Sequence, residues 1–307
     1  MDYVGLIFKY PVNRPLAQFE KDLQLKPKEK LKIEPFYQLS VIRMNSTYLE
    51  SIDKFYSWKG ALTGFLLIPI VMFAGFLGYI AIDAIPQIST SDDGRFYFWA
   101  IAGVSALVLP FLYWLVRLLH KESFAWTHYP IRLNRKTRMV YVFRTNGTVL
   151  SVPWDEVIFT LGGAGGSGLI QNWDLRGHVL DKDGNTVQES FTFSMVSNNK
   201  DDLYQLWEFI RRYMEEGPQD LYKQVEFCMP VSEKRESYFF GLKRLIVNFK
   251  GQPFLQTMMM PFFLLYSIGR VFSMWTSRIP KWPQEAENAC RVEPGDPYIK
   301  DWRTNPK

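Results

Sequence analysis

The chain has 307 residues, of which 47% are hydrophobic and 16% aromatic, with a net charge of +5 and a pI near 9.0. A mean hydropathy of -0.12 is too low for a polytopic transporter. The basic balance does not point to nucleic acid either, because Lys and Arg flank apolar segments and no nucleic-acid module signature is present.

Residues 1–58 read as a mixed, cytoplasmic N-terminal segment. The apolar part of its start is too short for a signal-peptide core. Two basic, proline-punctuated stretches, Lys9 to Pro15 and Lys26 to Pro35, bracket a short helical pattern at Leu16 to Leu25, and Gln38 to Met44 alternates as a strand. The sequon Asn45-Ser46-Thr47 reads as accidental in such a compartment.

Residues 59–117 organise the chain. Two uncharged runs, Gly60 to Ile82 and Phe96 to Val116, are separated by a short loop carrying Asp83, Asp92, Asp93 and Arg95. At about 1.5 Å per residue each run covers roughly the 30 Å of a bilayer's hydrocarbon core, which predicts a transmembrane hairpin. Trp and Tyr collect near the ends of these runs, where amphipathic rings favour the headgroup layer. Arg43, Lys54 and Lys59 precede the hairpin, and Arg117, Lys121, Arg132, Arg135, Lys136 and Arg138 follow it. Both flanks are therefore expected in the cytoplasm, as a multi-pass protein of a bacterial inner membrane. Small residues at four-residue spacing, such as Gly60 and Gly64, Ala74 and Gly78, Ala102 and Ala106, suit close helix packing. The first reading is that the two spans pack on each other; a homo-oligomer interface is the second. No ionisable residue other than Tyr lies inside either run, which disfavours a pump or ion pathway.

Residues 122–217 switch to period two. Short runs (Phe124 to Tyr129, Ile131 to Asn134, Met139 to Thr145, Thr148 to Val152, Val157 to Leu161, Leu169 to Leu180, Thr186 to Met195) are punctuated by turn signals at Asn134 to Thr137, Asn146-Gly147 and Asp181 to Asn185. A helix follows. Asn198 or Asn199 caps it, Leu203, Leu206, Trp207, Ile210 and Met214 form its apolar face, and Gly217-Pro218 ends it. About seven strands closed by one amphipathic helix resemble the pleckstrin-homology-like fold, in which the apolar helix face plugs one end of a bent sheet. The fold expected is thus a membrane-anchored α+β chain: a helical hairpin, then a pleckstrin-homology-like antiparallel domain capped by one helix.

Residues 218–307 hold an amphipathic or interfacial segment and a proline-rich tail. The third uncharged run, 252–269, contains Pro253 and Pro261. It reads as interfacial or re-entrant, because a crossing would translocate Arg278, Lys281, Lys300, Arg303 and Lys307. The tail reads as an extended strap.

The glycine-rich stretch Gly162, Gly163, Ala164, Gly165, Gly166, Ser167, Gly168 lacks the Lys-Ser/Thr of a P-loop and precedes a strand, so it reads as a flexible loop that could contact a partner. His120, His128 and His178 have no metal-type or nucleophile neighbours in sequence, and Cys228 and Cys290 fit no metal or redox spacing. No catalytic constellation, cofactor or metal site is expected, and enzyme activity is not. Arg132, Arg135, Lys136 and Arg138 are candidate lipid contacts, although positive-inside charge and a turn explain them without function.

The layout as a whole resembles uncharacterised proteobacterial membrane proteins often encoded beside type VI secretion genes. The resemblance is carried by the hairpin, the Pro153-Trp154-Asp155-Glu156 stretch and a tail running from Pro280-Lys281-Trp282-Pro283 through Glu293-Pro294-Gly295-Asp296-Pro297 to Asn305-Pro306. It implies an immunity or accessory protein that binds a secreted toxin or a secretion component. The alternative is a membrane-anchored scaffold or lipid-sensing module. Contact surfaces expected for a protein partner are the glycine-rich stretch and the turns at Asn146 and Asp183.

Overall fold

The computed structural model describes residues 3–167, 170–247 and 253–306. In chain order the elements are β1 (Arg14–Pro15), α1 (Gln18–Asp22), β2 (Gln24–Leu25), β3 (Val41–Met44), β4 (Tyr48–Ser51), α2 (Ala61–Thr90) and α3 (Gly94–Glu122). There follow β5 (Ile131–Asn134), β6 (Met139–Phe143), β7 (Val149–Pro153), β8 (Val157–Ser167), β9 (Ile170–Leu180), β10 (Thr186–Ser197), α4 (Lys200–Glu215), α5 (Tyr238–Val247), α6 (Pro253–Thr276) and α7 (Gln284–Ala289). The architecture is α+β, with two long apolar helices ahead of antiparallel sheets and further helices. These elements divide into a β-rich body, made of Met1–Trp58, Trp126–Glu236 and Ile279–Lys307, and a helical unit made of Lys59–Ala125 and Ser237–Arg278.

The body holds two antiparallel five-stranded sheets, ordered β1-β10-β9-β8-β2 and β3-β4-β5-β6-β7. The N-terminal residues are not a separate segment. Leu49 of β4 lies opposite Leu133 of β5, so the sheet closes across the whole insertion between them. Alternation dictates what faces inward. Leu49, Leu133, Val140 and Val152 enter the core with Trp154, Phe159 and Phe193. The helix α4 enters the same core. Its cap is Asn199, whose side chain accepts from the Asp201 N–H at 3.1 Å, and Leu203, Leu206, Trp207, Ile210 and Met214 are all buried. Trp207 stacks on Trp154, centroids 5.8 Å apart. Burying each such ring is worth about 2–3 kcal/mol.

The outer face of the second sheet is covered by the tail, as a strap. Arg132 is 1% exposed, lies between the rings of Tyr48 and Trp282 at 4.5 and 4.6 Å, and donates to Glu50 at 2.8 and 3.1 Å. Ala286 and Cys290 pack on Tyr48 and Tyr141. Further along, Lys300 bridges Met44, and the Asn305 side chain exchanges two hydrogen bonds with the Cys228 backbone.

The helical unit is built on α2 and α3, which at 30 and 29 residues are about 45 Å long. Helix α2 continues to Thr90, so Asp83 is helical and the turn shrinks to residues 91–93. Leu66, Leu115 and Leu119 hold the pair, with Phe73 edge-on to Phe111 at 5.3 Å. The ends are clasped by a carboxylate. Glu122, 2% exposed at the C-terminus of α3, accepts from the N–H groups of Gly60 and Thr63 at 2.9 and 2.6 Å and from the Thr63 hydroxyl at 2.6 Å. It thereby caps α2, whose first N–H groups have no partner within the helix. Helix α6 meets α2 at backbone contact: a Cβ on Gly269 would lie 2.7 Å from the Gly60 carbonyl and 2.8 Å from the Gly64 Cα. Gly60 and Gly64 therefore serve α6 and not the packing of α2 on α3. A Cβ on Gly75, Gly78 or Gly103 would meet nothing.

Candidate functional site

The body opens in a cleft of about 380 Å³ lined by residues of both sheets. Val142 and Phe143 of β6 and the turn through Asn146 form one wall, and Gln188 to Thr192 of β10 form the other, with Tyr10 and Tyr129 between them. The wall on β10 is available because β1 pairs with that strand only at Thr186 and Val187. Arg144 and Glu189 close a bidentate ion pair at 2.6 and 2.5 Å at the cleft, where Lys9 also lines it.

Beneath Tyr10 lies a buried ionic cluster. Lys54 and Arg176 flank the Tyr10 ring, 5.4 and 5.2 Å from its centroid. Both donate to Asp174: Lys54 Nζ at 2.9 Å and Arg176 Nε at 2.6 Å. Arg176 also donates to the Gly163 carbonyl at 2.6 Å. Two cations thus share the Asp174 carboxylate beneath the ring. Burial raises the Tyr10 hydroxyl above its ordinary pKa, against the opposing pull of Lys54, so it stays a neutral donor, and it donates to the Thr192 hydroxyl at 3.4 Å. Asp53, also in the lining, accepts from the N–H groups of Phe55, Tyr56 and Tyr129 and serves as a backbone knot.

A second polar group lies on the same sheet. His178 Nδ1 is 2.7 Å from the Ser190 hydroxyl, its cross-strand partner, and Nε2 is 3.5 Å from Glu20. Glu20 is already held by Arg14 at 2.6 and 2.7 Å and by the Ala17 N–H at 2.9 Å. Burial pushes His178 down to about 4. The imidazole is neutral at neutral pH, and the group ties β1 and α1 to the sheet. Among the described residues no three His, Cys, Asp or Glu side chains could hold a metal ion. Chemically, the cleft offers an apolar wall from Val142 and Phe143 and polar groups from Lys9, Asp53, Arg144 and Glu189, an arrangement for recognising a ligand group.

The sequence-derived candidates are placed differently. Arg132 is buried against Glu50. Lys136 pairs with Glu293, and Arg138 with Asp155 and Glu215 at 2.6 and 2.8 Å. Arg135 is half-buried beside Gly217. These four are not a free basic patch, because carboxylates of the body neutralise three of them. The glycine-rich stretch is not a loop. Gly162 and Gly163 lie in β8 opposite Asp174 and Trp173, a bulge follows, and Gly166 lies opposite Gln171. Gly165 sits in that bulge at φ +73°, and Gly168 lies outside the described residues. The turn at Asn146 does reach the cleft, whereas Asp183 caps its own turn by accepting from Asn185 and Thr186. Sequence reading missed Lys54, Asp174 and Arg176. The signal for two of them was Asp174 and Arg176 at a two-residue spacing, opposite charges on one face of a strand.

The family of unknown function DUF6708 matches residues 108–294, more than half of the chain, and the chain belongs to that family. No curated protein and no solved structure matches it.

Proposed function

We propose that this DUF6708 member is a membrane-anchored, non-catalytic binding protein whose β-rich body captures a protein partner at the cleft between its sheets. One observation carries the anchoring. Helices α2 and α3 are long and apolar enough to cross a membrane, and they leave Phe65, Ile82 and Leu107 77–81% exposed along their length. Apolar surface of that extent is stable in lipid and aggregates in water. The positive-inside distribution supports a bacterial inner-membrane protein with the body and both terminal regions in the cytoplasm.

Support for a pleckstrin-homology-like body is element order: six strands in succession, β5 to β10, followed by α4 with its apolar face in the core; the expected strand at Phe124 to Tyr129 does not form, and β4, from ahead of α2, pairs with β5 in its place. The partner class is a secreted toxin or a secretion component, and its support is the sequence resemblance to proteins encoded beside type VI secretion genes. The headgroup-reading alternative loses ground, since its basic residues are spent on internal ion pairs.

Co-expression with each secreted-effector gene found beside this one in its genome tests this reading. Rescue of growth and a co-purifying complex are expected, both lost with Gln188→Trp, which places a bulky ring on the exposed wall of the cleft and leaves the core untouched. No rescue and no complex would remove it.

A further inference from the structure

Among the described residues three helices are long and apolar enough to cross a membrane, α6 being one of them, yet the fold of the body admits only an even number of crossings in each excursion. The chain leaves the body at Trp58 and returns at Trp126, and it leaves again at Glu236 and returns at Ile279. The segments on either side of both excursions are hydrogen-bonded into one body: β4 pairs with β5, Met44 bridges Lys300, and Cys228 pairs with Asn305. A bilayer cannot pass through a continuous sheet. Helices α2 and α3 supply two crossings. If α6 crossed, α5 would have to cross as well, and its 10 residues reach only about 15 Å, half of the hydrocarbon core.

We infer that α5 and α6 form a re-entrant hairpin embedded in one leaflet, the leaflet in which α2 begins and α3 ends. This inference rests on the membrane-anchored reading above. The two helices run antiparallel. Gln256 at the start of α6 donates to the Ile246 carbonyl at the end of α5, at 3.1 Å, and Ser267 further along α6 donates to the Tyr238 hydroxyl at the start of α5, at 3.0 Å. Leu245, Phe263 and Tyr266 pack between them. The far end of α6 returns to where the other helices begin and end: Arg270 donates to the Lys59 carbonyl at 3.0 Å, Ser273 to the Glu122 carbonyl at 3.2 Å, and the Arg278 N–H to the Ala125 carbonyl at 2.9 Å. Lys243 and Arg244 lie within α5, whose other residues are mostly apolar. Two cations in a short aromatic-rich helix suit the boundary of headgroups and acyl chains and oppose a passage through the core. The occupant of the exposed face carrying Phe239, Phe254, Leu265 and Ile268 is lipid of that leaflet, continuous with the lipid around α2 and α3.

The test uses single-cysteine variants of the full chain in intact spheroplasts and inverted vesicles, labelled with a membrane-impermeant maleimide. Asp92→Cys, in the α2–α3 turn, reports on the parent reading and should label only from the face opposite the body. Phe254→Cys, at the start of α6, should resist label from that face and react fully once detergent dissolves the membrane. Lys281→Cys should label only from the body's face. Phe254→Cys labelled from the far face together with Asp92→Cys overturns the re-entrant hairpin and leaves the anchor standing. Asp92→Cys unlabelled from the far face removes the anchor itself.

Discussion

Gly162 is bare because the Arg176 guanidinium lies across it, held there by Asp174 and the Gly163 carbonyl. An added Cβ meets the Arg176 Nε, Cδ and Cζ atoms, and the side chain has no slack, being fixed at both ends. Gly162→Ala should therefore lower stability by about 1–3 kcal/mol, read as a shift in the thermal midpoint of the full chain in detergent; Gly184→Ala, where a Cβ meets nothing but φ is +68°, should cost less. An unchanged midpoint for Gly162→Ala would mean that Arg176 is not fixed there. His178 gives a pH test. Its folded pKa is about 4, pushed down by burial against the pull of Glu20, while the unfolded value is near 6.5. Above about pH 6.5 neither state is protonated there and its contribution is complete. Between about 6.5 and 4 the unfolded chain binds a proton that the folded chain refuses, so stability falls with decreasing pH by up to about 1.4 kcal/mol per unit. His178→Phe should flatten that slope in pH-dependent melting curves, and an equal slope would locate the titrating group elsewhere. Only the Asp174 and Arg176 spacing was legible from sequence, because Lys54 and Asp174 are 120 positions apart and a lone histidine in a strand carries no mark of its partners.

At the scale of elements, helix ends and crossings carry the information. The capping of α4 was readable, since Asn199, the apolar face and Gly217 are all local. The capping of α2 was not, as its carboxylate, Glu122, comes from the far end of α3. Glu122→Ala removes three acceptor bonds from buried donors at once and should cost about 2–4 kcal/mol; Glu122→Gln, which keeps an acceptor, should cost less. Melting of the full chain in detergent separates them, and equal losses would mean that charge at the helix end matters more than the bonds. The glycines can be sorted in the same way. Gly269→Ala drives a methyl into the Gly60 and Gly64 backbones, which cannot rotate away, whereas Gly75→Ala and Gly103→Ala face open space. The first should loosen α6, seen as faster proteolysis between Ser237 and Arg278, while the other two leave digestion unchanged. Had Gly75→Ala or Gly103→Ala altered it, a helix of a second copy would be packed there. Four-residue spacing marked Gly60 and Gly64 as packing candidates but not Gly269, and spacing alone does not say which helix fills which face.

For the molecule as a whole, the sequence reads as a row of segments and the fold is nested. Period two marked β5, β6 and β7 and a 3.6 period marked α4, because each signal lies within a few residues. Membership of β3 and β4 in the same sheet was invisible, since 79 residues separate Ser51 from Ile131 and nothing in either strand names its partner. The glycine-rich stretch misled for a related reason: composition suggested a loop, whereas pairing with β9 makes it a strand. Nesting has a consequence for stability. If the body owes nothing to the helical unit, joining Trp58 to Trp126 and Glu236 to Ile279 with short polar linkers should give a soluble, monomeric protein. The first junction is geometrically cheap, because β4 and β5 are antiparallel neighbours and extra loop length costs only about 0.6 kcal/mol per doubling. The joined body should melt in one cooperative step and show a β-rich circular dichroism spectrum. The same protein ended at Glu236 should melt lower by several degrees or aggregate, because Arg132 loses Trp282 and Glu287 and the outer sheet face with Tyr48 and Tyr141 is left bare. Aggregation of the complete joined body, with its core and strap intact, would show instead that α2, α3 and α6 are part of what makes the sheets stable.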